Sequence, residues 1–114
     1  MPPSASDILP GGQNGEMAEN ARQATALLKA LAHEGRLMIL CHLSSGAKTV
    51  TELERLLGQN QPAVSQQLAR LREDGIIEAR RDGRAIYYAV SDGRARAVVE
   101  LLYELFCAAA EKAD

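Results

Sequence analysis

The sequence predicts a mostly α-helical domain with one small β-hairpin, in the order ααααββα, and three observations support it. Apolar residues recur at three- and four-residue spacing along five stretches. Glycines and capping residues punctuate those stretches, and two strand-like segments meet at Asp82-Gly83, a strong two-residue hairpin signal. A chain of 114 residues, 46% of them hydrophobic, suffices for one modest core and leaves little for a second.

Met1 to Gly15 is rich in Pro, Ser, Gly and Asn and lacks the basic flank and apolar run of a signal peptide or membrane span. It reads as a flexible tail preceding a domain at residues 16–114 of a cytoplasmic protein. Glu16 to Leu31 contains good helix formers, with Ala24, Leu27, Leu28 and Leu31 on one side. A second helix runs from Gly35 to Ser45 on Leu37, Ile39, Leu40 and Leu43, with Gly46 as its stop. Thr51 opens a third through Leu57, Thr51 and Glu54 having capping-box spacing, and Gly58 ends it. Asn60 caps a fourth helix with Pro62 in its first turn and Val64, Leu68 and Leu71 as its buried stripe. It ends near Asp74-Gly75. Ile76 to Arg81 and Arg84 to Val90 then form the hairpin strands, and Asp92 to Ala113 a long last helix with Val98, Leu101, Leu102, Leu105 and Phe106 on one broad side.

The net charge of -2 does not advertise a polyanion partner, so the distribution of charge carries the argument. Arg70, Arg72, Arg80, Arg81 and Arg84 crowd one region, interspersed with Glu73, Asp74, Glu78 and Asp82, while the last helix carries Glu100, Glu104 and Glu111. Two short helices joined by a tight glycine turn, the second opening on polar residues, are what a helix-turn-helix needs to seat one helix in the major groove. With its apolar stripe turned inward, the fourth helix points Pro62, Gln66, Ala69 and Glu73 outward, flanked by Ala63, Ser65 and Arg70. Gln61, Ser65, Gln66 and Arg70 are therefore the candidates to touch DNA: glutamine pairs with adenine, arginine with guanine or phosphate, serine with phosphate. Gln67 leans toward the core. Arg80, Arg81 and Arg84 stand at the tip of the β-ribbon, a wing suited to straddling phosphates or entering the minor groove. The plain alternative is a polar helix beside a solvated charged turn.

An enzyme finds little support, for there is no phosphate-binding glycine loop, histidine-paired nucleophile or HExxH site, and no cofactor is expected. The apolar residues around most of the last helix exceed what one small domain covers, which predicts a homodimer.

The run Leu31-Ala32-His33-Glu34-Gly35-Arg36-Leu37-Met38-Ile39-Leu40, and the run from Gln61-Pro62-Ala63-Val64-Ser65-Gln66-Gln67-Leu68 to Gly75-Ile76-Ile77, resemble the ArsR family of bacterial transcriptional repressors. That resemblance implies a winged helix-turn-helix, dimerised through its first and last helices on an imperfect inverted repeat of double-stranded operator DNA and released by an inducer. Gln67 departs from the pattern, standing where many relatives place His.

Cys41 and Cys107 are too few and too far apart for a disulfide scaffold or a CxxC zinc site, and a cytosolic resting state leaves both as free thiols. Small core hydrophobes are one reading of them. The metal patterns of the family are incomplete: its second-helix cysteine cluster is reduced to Cys41, and Arg94 stands where the last helix of zinc sensors has His. No metal site is expected. Cys41 and His42, being consecutive, diverge by about 100° and chelate poorly, while His33 is expected to cap or pack near the second helix. By their wheel positions Cys41 and Cys107 flank their helices, within reach of a small reactive species.

In the persulfide- and sulfide-responsive (BigR/SqrR-type) subgroup, one cysteine of the second helix and one of the last form the sensor. The resemblance thus implies that reactive sulfur species link Cys41 to Cys107 and release DNA, the alternative being a metal- or peroxide-responsive repressor using the same thiols. A direct disulfide needs Cα atoms within roughly 7 Å, and each inserted sulfur lengthens the bridge by about 2 Å.

Overall fold

The helix α2 (Glu34–Leu43) explains the architecture, because Leu37, Met38, Ile39 and Leu40 are consecutive and no single face can hold them. Ile39 and Leu40 are fully buried, Leu37 packs beside them and Met38 stays 41% exposed, so the helix is covered on most of its sides and open on one. In the computed structural model, which describes residues 14–108, α2 (Glu34–Leu43) is packed by α1 (Asn14–Leu31), α3 (Val50–Leu57), α4 (Gln61–Glu73), the second strand of a hairpin, and α5 (Gly93–Tyr103). The hairpin pairs β1 (Ile77–Asp82) with β2 (Ala85–Val90) antiparallel, and α5 continues into a π-helical turn, Glu104–Ala108. The order is the expected ααααββα, a winged helix-turn-helix. Ile39, Leu40 and Leu43 of α2 meet Leu53 of α3, Val64, Leu68 and Leu71 of α4, Ile76, Ile77 and Val90 of the hairpin, and Ala95 and Val99 of α5. Full burial stabilises each large aliphatic side chain by about 1.5–3 kcal/mol. Among the described residues no helix is long and apolar enough to cross a membrane.

Local signals set most elements, and the structure corrects several of their boundaries. Helix α1 begins at Asn14, two residues before the expected Glu16; the expected tail otherwise lies outside the described residues. Helix α2 starts at Glu34, one residue before Gly35, with His33 as its N-cap, its Nδ1 accepting from the Arg36 N–H at 3.4 Å. It ends at Leu43 and not at Ser45. The Ser44 and Ser45 hydroxyls donate to the carbonyls of Leu40 (3.0 Å) and His42 (2.9 Å), drawing the chain out of the helix before Gly46.

The capping box of α3 is Thr49 with Glu52, not Thr51 with Glu54. The Thr49 N–H donates to Glu52 Oε1 at 2.9 Å and the Glu52 N–H to Thr49 Oγ1 at 3.2 Å. Both Thr-x-x-Glu pairs satisfy the pattern, and a distant contact chooses between them. Lys48 is held extended by paired backbone bonds to Tyr88, 3.0 and 2.8 Å, so the next residue is the first free to turn into a helix.

The hairpin turn is Gly83-Arg84, with Asp82 paired to Ala85, where Asp82-Gly83 was expected. Gly83 takes φ +65°, and no residue other than glycine has positive φ among those described. A turn needing positive φ only at its first central position spares Asp82 a conformation that glycine adopts freely. Of the expected Asp92 to Ala113 helix, Asp92 is the N-cap, accepting from the N–H groups of Arg94 (2.8 Å) and Ala95 (3.1 Å), and residues 109–113 lie outside the described region.

Candidate nucleic-acid interface and thiol site

Helices α3 and α4 are joined through Gly58, which caps α3 in the left-handed region at φ +66°, and Asn60, whose Oδ1 accepts from the Ala63 N–H at 3.1 Å. These stops fix how α4 leaves the turn, and burial of Val64, Leu68 and Leu71 fixes its rotation. Gln61, Gln66 and Arg70 are therefore exposed on one side and Ser65 is half-buried. Gln61 donates to Ser65 Oγ at 2.9 Å, which leaves the serine O–H and the glutamine carbonyl available for other partners. Arg70 pairs with Asp74 at 3.3 Å, an exposed contact of small worth that a phosphate displaces cheaply. Gln67 is half-buried against the first turn of α2, where its amide fills the space that a Cβ on Gly35 would take, so a larger residue at 35 would have to displace the Gln67 amide.

The base of the hairpin packs on α4 and its tip projects away. Arg80 lies opposite Tyr87 and Arg81 opposite Ile86, so the two arginines sit on opposite faces of the ribbon, with Arg84 in the turn. Arg80 contacts Glu78 at 3.3 Å, whereas Arg81 and Arg84 have no ion-pair partner among the described residues. The expected candidates thus form two groups, one on α4 and one on the wing. Sequence reading missed a third contribution: a groove of about 440 Å³ between α2 and α4 is lined by His33 and Arg36 as well as Gln66, Gln67, Ala69, Arg70 and Glu73. Only tertiary packing brings the start of α2 beside the exposed side of α4.

Both cysteines are free, Cys41 half-buried on α2 and Cys107 exposed beyond α5. Burial pushes the Cys41 thiol above its ordinary pKa, and the nearby Cys107 adds to the rise. The second cause means that the two sulfurs share one neighbourhood. Beside Cys41 lies a cavity of about 540 Å³, lined by His42, Ser44 and Ser45 from the end of α2 and by Val99, Glu100, Tyr103 and Glu104 from α5. Arg96, one turn before Glu100, donates to the carbonyls of Ser44 (3.4 Å) and Val90 (3.3 Å), tying the end of α2 to the end of the wing. Neither the cavity nor the Arg96 link is legible in the sequence. No group of three or more His, Cys, Asp or Glu residues suited to a metal ion occurs among the described residues.

The family model for bacterial regulatory proteins of the arsR family matches residues 33–79. The chain is 41% identical over 107 residues to the biofilm growth-associated repressor of Xylella fastidiosa (strain 9a5c), covering 94% of each chain. It is 43% identical over 94 residues to the transcriptional activator HlyU of Vibrio cholerae, covering 82% of this chain and 87% of that one. The fold is similar to that of the solved transcriptional repressor BigR from Xylella fastidiosa, with a TM-score of 0.77 and 43% identity over 83% of this chain and 94% of that one.

Proposed function

The chain belongs to the arsR family of bacterial regulatory proteins, and from that premise we propose that it is a cytoplasmic, homodimeric, dithiol-based transcriptional repressor. Reduced, it holds operator DNA; when reactive sulfur species link Cys41 to Cys107, it lets go. The observation that carries this reading is that the two free thiols, one on α2 and one beyond α5, lie near enough for Cys107 to add to the rise of the Cys41 pKa.

On the DNA side, Gln61, Ser65, Gln66 and Arg70 enter the major groove, and Arg80, Arg81 and Arg84 reach the flanking backbone or minor groove. A second copy covers the apolar side chains left open on α1, α5 and the π-helical turn, of which Leu28, Leu101, Leu105 and Phe106 are 57%, 56%, 58% and 73% exposed. Pairing through these helices presents two reading heads to the two halves of an inverted repeat.

The sulfur chemistry balances without an outside oxidant. Each thiol takes the terminal sulfur of a persulfide R–S–SH, giving Cys–S–SH and R–SH. The terminal sulfur of one protein persulfide then attacks the inner sulfur of the other, expelling hydrosulfide and leaving a three-sulfur bridge. That bridge ties α2 to α5, and Arg96 with the Lys48–Tyr88 pairing joins the same two elements to the wing.

The test is operator binding by reduced protein, repeated after persulfide, peroxide, zinc and arsenite, with mass spectrometry of the released form. Expected are release by persulfide with an intraprotomer link containing added sulfur, and retention of DNA by Cys41→Ser and Cys107→Ser. Release while both thiols stay unmodified sinks the thiol mechanism, and release by peroxide or metal alone assigns these cysteines to the alternative inducer.

A further inference from the structure

The groove between the start of α2 and the exposed side of α4 is continuous with the surface assigned to DNA, because Gln66 and Arg70 belong to both. Its other wall brings two donors, His33 and Arg36. His33 Nδ1 accepts from the Arg36 N–H as the cap of α2, so the ring proton sits on Nε2, the nitrogen that the cap leaves free. Arg36 lends Nη2 to the Lys29 carbonyl at 3.3 Å, which holds its side chain against the end of α1, and it has no ion-pair partner among the described residues. Its Nε–H is buried without an acceptor and Gln67 Oε1 without a donor, so the two do not satisfy each other and the guanidinium keeps donors for an outside acceptor.

The acidic neighbours stand apart from this pair. Gln67 lies against Gly35, which sets the start of α2 beside Gln66 and Gln67, whereas Glu73 is about 9 Å further along α4 at a rise of about 1.5 Å per residue. Glu34 does not line the groove, and Asp74 is taken up by Arg70.

We propose that this groove is a phosphate site for the duplex backbone beside the major groove, in which the Arg36 guanidinium and His33 Nε2–H donate to one phosphodiester. This rests on α4 being the reading helix and adds contacts from α2 that carry no base preference. A planar guanidinium matches phosphate oxygens in a paired geometry, and a groove of about 440 Å³ has room for the group.

The test follows binding of the reduced full chain to a random-sequence duplex across a salt series, beside thermal unfolding of each variant. Arg36→Gln should bind about five- to tenfold more weakly and flatten the slope of log affinity against log salt by about 1 per protomer. His33→Asn and His33→Asp both keep a good N-cap and differ by one charge, so the Asp variant should bind about tenfold more weakly at low salt, the gap closing as salt rises. A parent-like salt slope in folded Arg36→Gln overturns the inference, since a purely structural role weakens binding without removing a phosphate contact. Should Arg36→Gln fail to fold, equal affinities for the two His33 variants overturn it in its place. A parent chain that shows no salt-dependent duplex binding brings down the reading helix along with this site.

Discussion

In the α3–turn–α4 unit the caps themselves are bonds between residues a few positions apart, only the choice of Thr49 being set from a distance by Lys48 and Tyr88, whereas the thiol site is assembled from α2 and α5, which meet only because the core closes between them. Thr49, Gly58 and Asn60 shape the reading head by local hydrogen bonds and backbone preference. The α2–α5 face instead holds a cavity, two long hydrogen bonds from Arg96, and a π-helical turn carrying the second cysteine. A reading head must keep its shape in both states of a switch, and local bonds suffice for that. On the proposed function the α2–α5 junction is the part that must change its packing, and a junction that holds a cavity and ends in a π-turn, a form often found at functional sites, costs little to rearrange.

The largest effect expected on this division comes from the one element the two regions share. Leu40 of α2 is fully buried, and Leu40→Ala should cost about 2–5 kcal/mol in urea denaturation and impair both regions together. A cost under about 1 kcal/mol would show that the regions do not hang on a common core. Next comes Gln66→Ala, which should lose about 1–3 kcal/mol of operator affinity over random DNA while leaving the alkylation rate of Cys41 unchanged. A changed Cys41 rate would mean that the two sites are not separable in the reduced state.

Smaller again is the cap of α3. Thr49→Ala should cost about 1 kcal/mol and Thr51→Ala less than about 0.5 kcal/mol, read from thermal unfolding, and the reverse order would refute the cap set by Lys48 and Tyr88. The smallest effect is in pH dependence. Because burial raises the Cys41 pKa, folded Cys41 carries less thiolate than the unfolded chain near neutrality, so iodoacetamide should react more slowly with it and its rate should still be climbing where an ordinary cysteine has levelled off. The sign for stability follows: the contribution is present below the unfolded thiol pKa and is lost as pH rises through the higher folded value. Equal pH profiles for folded and unfolded Cys41 would remove burial as a property of this thiol.

The chain by itself determined the element order, the inward stripe of α4, the exposure of Gln61, Gln66 and Arg70, and the caps at Asn60 and Asp92, because helix period, capping and glycine stops act over a few residues. Tertiary structure decided the rest. Thr49 prevailed over Thr51 because Lys48 pairs with Tyr88, and Gln67 is half-buried because its amide lies against Gly35. The Cys41 cavity exists because α5 returns over the end of α2. Each of these depends on residues far apart in the chain, whose meeting follows from how the shared core closes and leaves no mark in the pattern of either segment alone.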